Sequence, residues 1–208
     1  MKDIERIAQE MALYADMLVN AGLLHLKGGN FSARVGDDLV ITRTRCFKQD
    51  LVPERLVCAP IYLDSPVEGA SSTLSMHRAI YRKTDAQAIM HAHPYHPALL
   101  SYYLDEILPL DENGLIYLGP RVPIVAAPGY MRWEEVSEEM ADSLVTCPAS
   151  VLRWHGTFTR GDCMASAFHY TQAVETAARF VYDLLRNEGR LGKAAYPPYV
   201  ALPRTPEG

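Results

Sequence analysis

Ala88-Ile89-Met90-His91-Ala92-His93-Pro94 is the stretch on which the fold turns. Its apolar start reads as a buried strand, and side chains two apart on a strand leave the same face. His91 and His93 therefore stand side by side. Pro94 and Pro97 lack backbone donors, so the strand ends there and the pair sits at its rim. A third imidazole, His155, follows another strand-like run, Ser150 to Trp154, in the triplet Trp154-His155-Gly156. Two parallel imidazoles plus one from a distant segment make an open metal site with room for water or substrate. A His-x-His pair alone also arises on ordinary packed strands, so the rest of the chain has to decide.

Before this stretch, Ile4, Ile7, Ala8, Met11, Tyr14, Ala15 and Leu18 recur at helical spacing, giving a helix that stops near Gly22. Lys27-Gly28-Gly29-Asn30 is a loop. Phe31 to Val35 and Asp38 to Thr42 read as two strands of a hairpin turning at Gly36-Asp37. Thr73 to Arg82 carries a helical pattern, with Ser72 as its expected N-cap. After the histidine strand come a helix-like stretch from Pro97 to Tyr103 and a strand at Arg121 to Ala126. Trp133, Val136, Met140 and Leu144 mark a helix with acids at its start, as the helix dipole favours. The longest helix runs from about Met164 to Arg186, its buried stripe including Val174, Ala178, Val181 and Leu185. Helices interleaved with short strands predict a sheet flanked by helices in one α/β domain.

The composition agrees with one well-buried domain: 208 residues, 49% hydrophobic and 22% charged. A net charge of −5, with no basic cluster, argues against a nucleic-acid groove. No signal peptide or membrane span is evident, so the expected compartment is the cytoplasm. Cys46, Cys58, Cys147 and Cys163 form no CxxC and read as reduced thiols. Residues 194–208 hold Pro197, Pro198, Pro203 and Pro206 and read as an extended arm.

Five motifs stand in order: Gly29-Asn30-Phe31-Ser32, Ile41-Thr42-Arg43-Thr44, Ser71-Ser72 with His77, His91-Ala92-His93, and His155-Gly156 before the long helix. Together they make the chain resemble the class II aldolase/adducin family, over nearly its whole length. The resemblance implies a three-layer α/β/α sandwich around a mixed, largely antiparallel sheet. It also implies a homotetramer with active sites at subunit interfaces, while the charge and hydropathy of the chain predict no nucleic-acid or membrane partner. By position, His91, His93 and His155 match the family's ligands for a divalent metal, commonly zinc. Gly29, Asn30, Thr44, Ser71 and Ser72, with Arg45 beside them, match its substrate-phosphate cradle. A helix N-terminus with serine hydroxyls suits phosphate on physical grounds as well, although a Ser-Ser pair there is also a plain helix cap. The implied activity is that of a fuculose-phosphate-aldolase-like lyase, which cleaves a small phosphorylated sugar through a metal-stabilised enediolate.

The chain departs from that pattern at three places. The family's acid/base carboxylate follows the Ser-Ser pair, but here that residue is Thr73, whose hydroxyl cannot act as a base in the working pH range. The tyrosine that relatives send into a neighbouring site is missing from Val125-Ala126-Ala127-Pro128, leaving Tyr130, Tyr196 and Tyr199 as nearby phenols. Arg45 replaces a common glycine and offers a bidentate grip on phosphate or carboxylate. The catalytic base is therefore unassigned. Either metal-bound hydroxide or another acid such as Glu112, Glu134 or Glu135 replaces the carboxylate, with Glu68, four residues before Ser72, disfavoured, or the reaction is an epimerisation or decarboxylation. A third option is a non-catalytic, adducin-like binding protein, against which the three histidines argue. Among the remaining residues, His77 is expected to pack near the site, His96 to support it or face solvent, and His25 to face solvent. His169 is expected to be structural, and Trp154 to be core.

Overall fold

The computed structural model describes residues 2–129 and 131–195. The histidine strand, β4 (Ala88–Ala92), lies at the centre of an eight-stranded sheet and is buried along its whole length. In chain order the other strands are β1 (Asn30–Val35), β2 (Asp38–Thr42), β3 (Leu56–Pro60), β5 (Glu106–Ile107), β6 (Val122–Val125), β7 (Ala149–Leu152) and β8 (Gly156–Gly161). Across the sheet the order is β3-β2-β1-β4-β8-β7-β6-β5. Every pairing is antiparallel except β6 with β7. The sheet is mixed and largely antiparallel, as expected.

Period-two alternation along β4 builds the layers. Ile89 enters a core with Ile80 and Tyr81 of α2 (Leu74–Lys83) and Leu144 of α5 (Ser137–Thr146). Its neighbour Met90 points the other way, to Met11 and Ala15 of α1 (Lys2–Asn20) and Phe168 of α6 (Met164–Asn187). Near the β5 edge, α6 and the short helices α3 (Tyr95–Leu100) and α4 (Glu112–Leu118) cover a third apolar cluster. Helices thus lie on both faces. No helix among the described residues is long and apolar enough to cross a membrane.

Several elements differ from the sequence reading. Ser72 is not the cap of α2. That position belongs to Thr73, whose side chain makes no cap bond and whose hydroxyl donates to Asn30 Oδ1 at 2.9 Å. The strand expected to reach Trp154 stops at Leu152, and Trp154 takes φ +61° in the turn into β8. Trp154 is half-buried rather than core, with its indole donating to the Ala195 carbonyl at 3.0 Å. His169 is exposed, with its ring edge-on to Tyr117 at 4.3 Å, so no core role is visible for it. Strands β3, β5 and β8 and helix α4 carry no clear periodicity. In β8 the buried residues include Thr157 and Thr159, and Thr159 satisfies its hydroxyl on the Ala167 carbonyl of α6 at 2.8 Å. Of the C-terminal arm, only Ala194 and Ala195 fall within the described residues. Tyr130, Tyr196 and Tyr199 lie outside them.

Candidate metal centre

Three short segments meet at one end of β4. His91 is the penultimate residue of the strand, and His93 lies just past its end. The hairpin from β7 to β8 pairs Leu152 with Gly156, so its three-residue turn carries His155 to the same rim. The Nε2 atoms of His91 and His155 are 3.1 Å apart, and those of His91 and His93 are 3.3 Å apart. One ring nitrogen from each of the three falls within 4.8 Å of the others.

The tautomer of His91 is fixed by its surroundings. Its Nδ1 lies 2.9 Å from the Thr157 carbonyl, which only accepts, so Nδ1 carries the proton and Nε2 keeps a lone pair. Burial pushes all three histidines toward the neutral form. For His91 the pKa lies well below its usual value through burial, then through the neighbouring His93 and His155. For His93 burial, and then His155, lowers it to about 3, and for His155 burial lowers it to about 4. Three neutral imidazoles with ring nitrogens this close form a donor set that can hold a cation. Tetrahedral zinc–imidazole bonds require nitrogens about 3.3 Å apart, close to the His91–His155 and His91–His93 separations. The donor set and its spacing fit a divalent metal, and the protonated Nδ1 of His91 is held by a backbone carbonyl, as metal-bound histidines commonly are.

The three rings form one wall of a 410 Å³ cavity. Gly29, Asn30, Thr44, Arg45, Ser71 and Ser72, each expected from the sequence, all line it. The structure adds Lys27, Arg43, Met131 and Trp133. Arg43 was visible inside its motif. Trp133 was hidden because an aromatic opening a helical stripe reads as core, whereas its ring packs 4.7 Å from that of His155. The lining includes three cationic side chains and no carboxylate among the described residues. Arg43 spends its Nε on the Glu54 carbonyl at 2.9 Å, and Lys27 stands over the Phe47 ring at 4.7 Å. Arg45 has no partner among the described residues and takes φ +57°, a strained value for a non-glycine residue.

The candidate bases do not reach this cavity. Glu68 and Glu112 are exposed and absent from the lining, and so are Glu134 and Glu135, the latter bound to Arg132 at 2.5 Å. His96 neither supports the ring cluster nor faces solvent freely. It lies 2.5 Å from Glu175 and ties α3 to α6. His77 packs beside the site as expected, 2.5 Å from Asn30 Oδ1. His25 is exposed. No sequence signal marks Lys48, which is only 1% exposed, with its ammonium on the Cys46 carbonyl at 2.9 Å.

The family model of the class II aldolase and adducin N-terminal domain matches residues 9–182. The structure of L-fuculose-1-phosphate aldolase from Thermus thermophilus is 32% identical, with a TM-score of 0.80 over 89% of this chain and 98% of that one. A sugar-phosphate aldolase from Thermotoga maritima shares the fold at a TM-score of 0.73 and 18% identity, covering 89% and 96% of the two chains. The methylthioribulose-1-phosphate dehydratase of Methylococcus capsulatus is 26% identical over 197 residues, which is 88% of this chain and 94% of that one. With the sheet order, the histidine cluster and these likenesses in agreement, the chain belongs to the class II aldolase and adducin N-terminal domain family.

Proposed function

We propose that the protein is a divalent-metal-dependent lyase that cleaves a carbon–carbon bond in a small phosphorylated sugar. One observation carries this reading: a single cavity joins three converging neutral imidazoles to three cationic side chains and holds no carboxylate among the described residues. His91, His93 and His155 hold the metal, for which zinc is the natural choice with three neutral imidazoles. When bound, the metal supplies Lewis acidity toward the carbonyl and hydroxyl oxygens of the substrate. Asn30, Thr44, Arg45, Ser71 and Ser72 hold the phosphate, and the backbone at Gly29 lets it approach. Arg43 and Lys27 add positive potential. A phosphorylated substrate and four free cysteines suit the cytoplasm.

The proton-transfer groups lie outside the described cavity wall. The acid and the base of the reaction are unassigned, since no carboxylate and no tyrosine lines the cavity among the described residues. A second reading, loss of water from a phosphorylated ketose, is favoured by Thr73. Its neutral hydroxyl stands where the aldolases carry their base, and a relative of similar length is named a dehydratase. Product analysis separates the two on a panel of ketose 1-phosphates with zinc-loaded protein. Cleavage releases dihydroxyacetone phosphate, whereas dehydration leaves one phosphorylated product lighter by a water. Neither product, from protein shown to hold zinc, contradicts both readings.

A further inference from the structure

Behind the cavity wall runs a buried file of polar side chains: Ser71, Thr73, Asn30, His77, Ser32 and Tyr81. Thr73 Oγ1 is 2.9 Å from Asn30 Oδ1, and His77 Nε2 is 2.5 Å from the same oxygen. His77 Nδ1 meets Ser32 Oγ at 2.7 Å, and Ser32 Oγ meets the Tyr81 hydroxyl at 2.9 Å. The inner part of the file is closed to water, since Tyr81 is 1% exposed and Ser32 and His77 are 0% exposed.

Its inner end fixes the direction of every bond. Among the described residues the one side-chain partner of the Tyr81 hydroxyl is Ser32, and its other partner, the Ile89 N–H, can only donate, so the phenol proton goes to Ser32; the opposite direction strands a buried O–H. Ser32 then gives its own proton to His77 Nδ1, and His77, neutral through burial, carries its proton on Nε2. That proton is donated to Asn30 Oδ1, which also accepts from Thr73. With its oxygen doubly held, the Asn30 amide turns its NH2 group to the cavity that Asn30 lines. Asn30 Nδ2 has no partner among the described residues.

We infer that Thr73 and His77 are positioning residues that lock the Asn30 amide with its N–H donors facing the cavity, ready for an anionic oxygen of the ligand. The ligand side of this inference rests on the phosphate reading above. Residue 73 thus has a role beyond lacking a carboxylate. Its hydroxyl proton is committed to Asn30, and a carboxylate in the same contact sets acceptor against acceptor. The file ends on an amide, so it is not a proton wire.

The test combines a spectrum with a binding cycle on the full chain. Nitrogen NMR of ligand-free protein at pH 7 shows His77 as the neutral Nε2–H tautomer; the Nδ1–H tautomer or a charged ring overturns the inference. Calorimetry with inorganic phosphate shows Thr73→Val weakening binding roughly three- to tenfold, with Thr73→Ser restoring it. In an Asn30→Ala background, Thr73→Val costs nothing further, because its effect passes through the amide. A loss that persists in that background, or no loss at all, overturns the inference. If the unmodified chain binds no phosphate, the phosphate reading fails, while the tautomer still decides which way Asn30 faces.

Discussion

Gly156 lies so close to Ala92 that a Cβ on it would stand 2.3 Å from the Ala92 carbonyl oxygen and 2.8 Å from His93 Cδ2. Gly29, at φ +62°, does the same on the other side, 2.3 Å from the His91 carbonyl oxygen. Two glycines thus let neighbouring backbone close on the histidine-bearing strand end, which gives both motif glycines a steric reason. Gly156→Ala is expected to destabilise the fold by about 1–3 kcal/mol through overpacking and to weaken zinc binding by displacing His93. Thermal melts and zinc titration check this; an unchanged melt with unchanged zinc affinity contradicts it.

His77 makes stability depend on pH. Burial lowers its pKa from 6.5 to about 3. As pH falls through 6.5 the unfolded chain takes up a proton here, and the native state does not until about pH 3. The unfolded state therefore binds more protons across that window. Stability is full above it and declines on acidification by about 1.4 kcal/mol per pH unit for this one proton. Urea titrations across this range measure the slope, and His77→Gln is expected to be flatter by that amount. Equal slopes rule out the buried neutral ring.

The sequence made some of this legible and hid the rest for physical reasons. The pair His91 and His93 was readable because period-two alternation and a following proline need no tertiary information. The cradle residues came from motif order, and the cavity gathers every one of them. Strand β8 was not readable, because its interior holds buried threonines, and the Thr159 hydroxyl finds partners on α6 only in the folded chain. The polarity of Asn30 was also invisible, since it depends on Tyr81, distant in sequence and joined through Ser32.

Arg45 separates binding from folding. It holds φ +57° and carries at the cavity a guanidinium with no partner among the described residues. In Arg45→Gly, relief of left-handed strain and the greater freedom of the unfolded chain offset each other, leaving stability within about 1 kcal/mol of the original. Phosphate binding is expected to weaken roughly three- to tenfold, since the arginine is exposed. Calorimetry and a melt on the same sample check both parts, and undiminished phosphate affinity removes Arg45 from the cradle.

Lys48 is a buried cation without a carboxylate partner among the described residues. Burial lowers its pKa, and its contacts are the Cys46 carbonyl and, at 3.6 Å, the Cys46 sulfur. Lys48→Met keeps the length and removes the charge. Stability is expected to hold or rise, by up to about 3 kcal/mol, as when buried ionic groups give way to apolar ones. Chemical denaturation checks it; a loss above about 1 kcal/mol shows that the ammonium supports the fold.

His91, His93 and His155 are expected to close on one metal ion. Zinc stoichiometry and affinity, measured by equilibrium dialysis on the chain and its alanine variants, test that most directly. The expected result is one zinc per chain. Each of the three substitutions should weaken it by more than the roughly 10–100-fold cost of losing a supporting hydrogen bond, while His96→Ala leaves it unchanged. Zinc retained at full affinity by His155→Ala, or no stoichiometric zinc in the unmodified chain, contradicts the account.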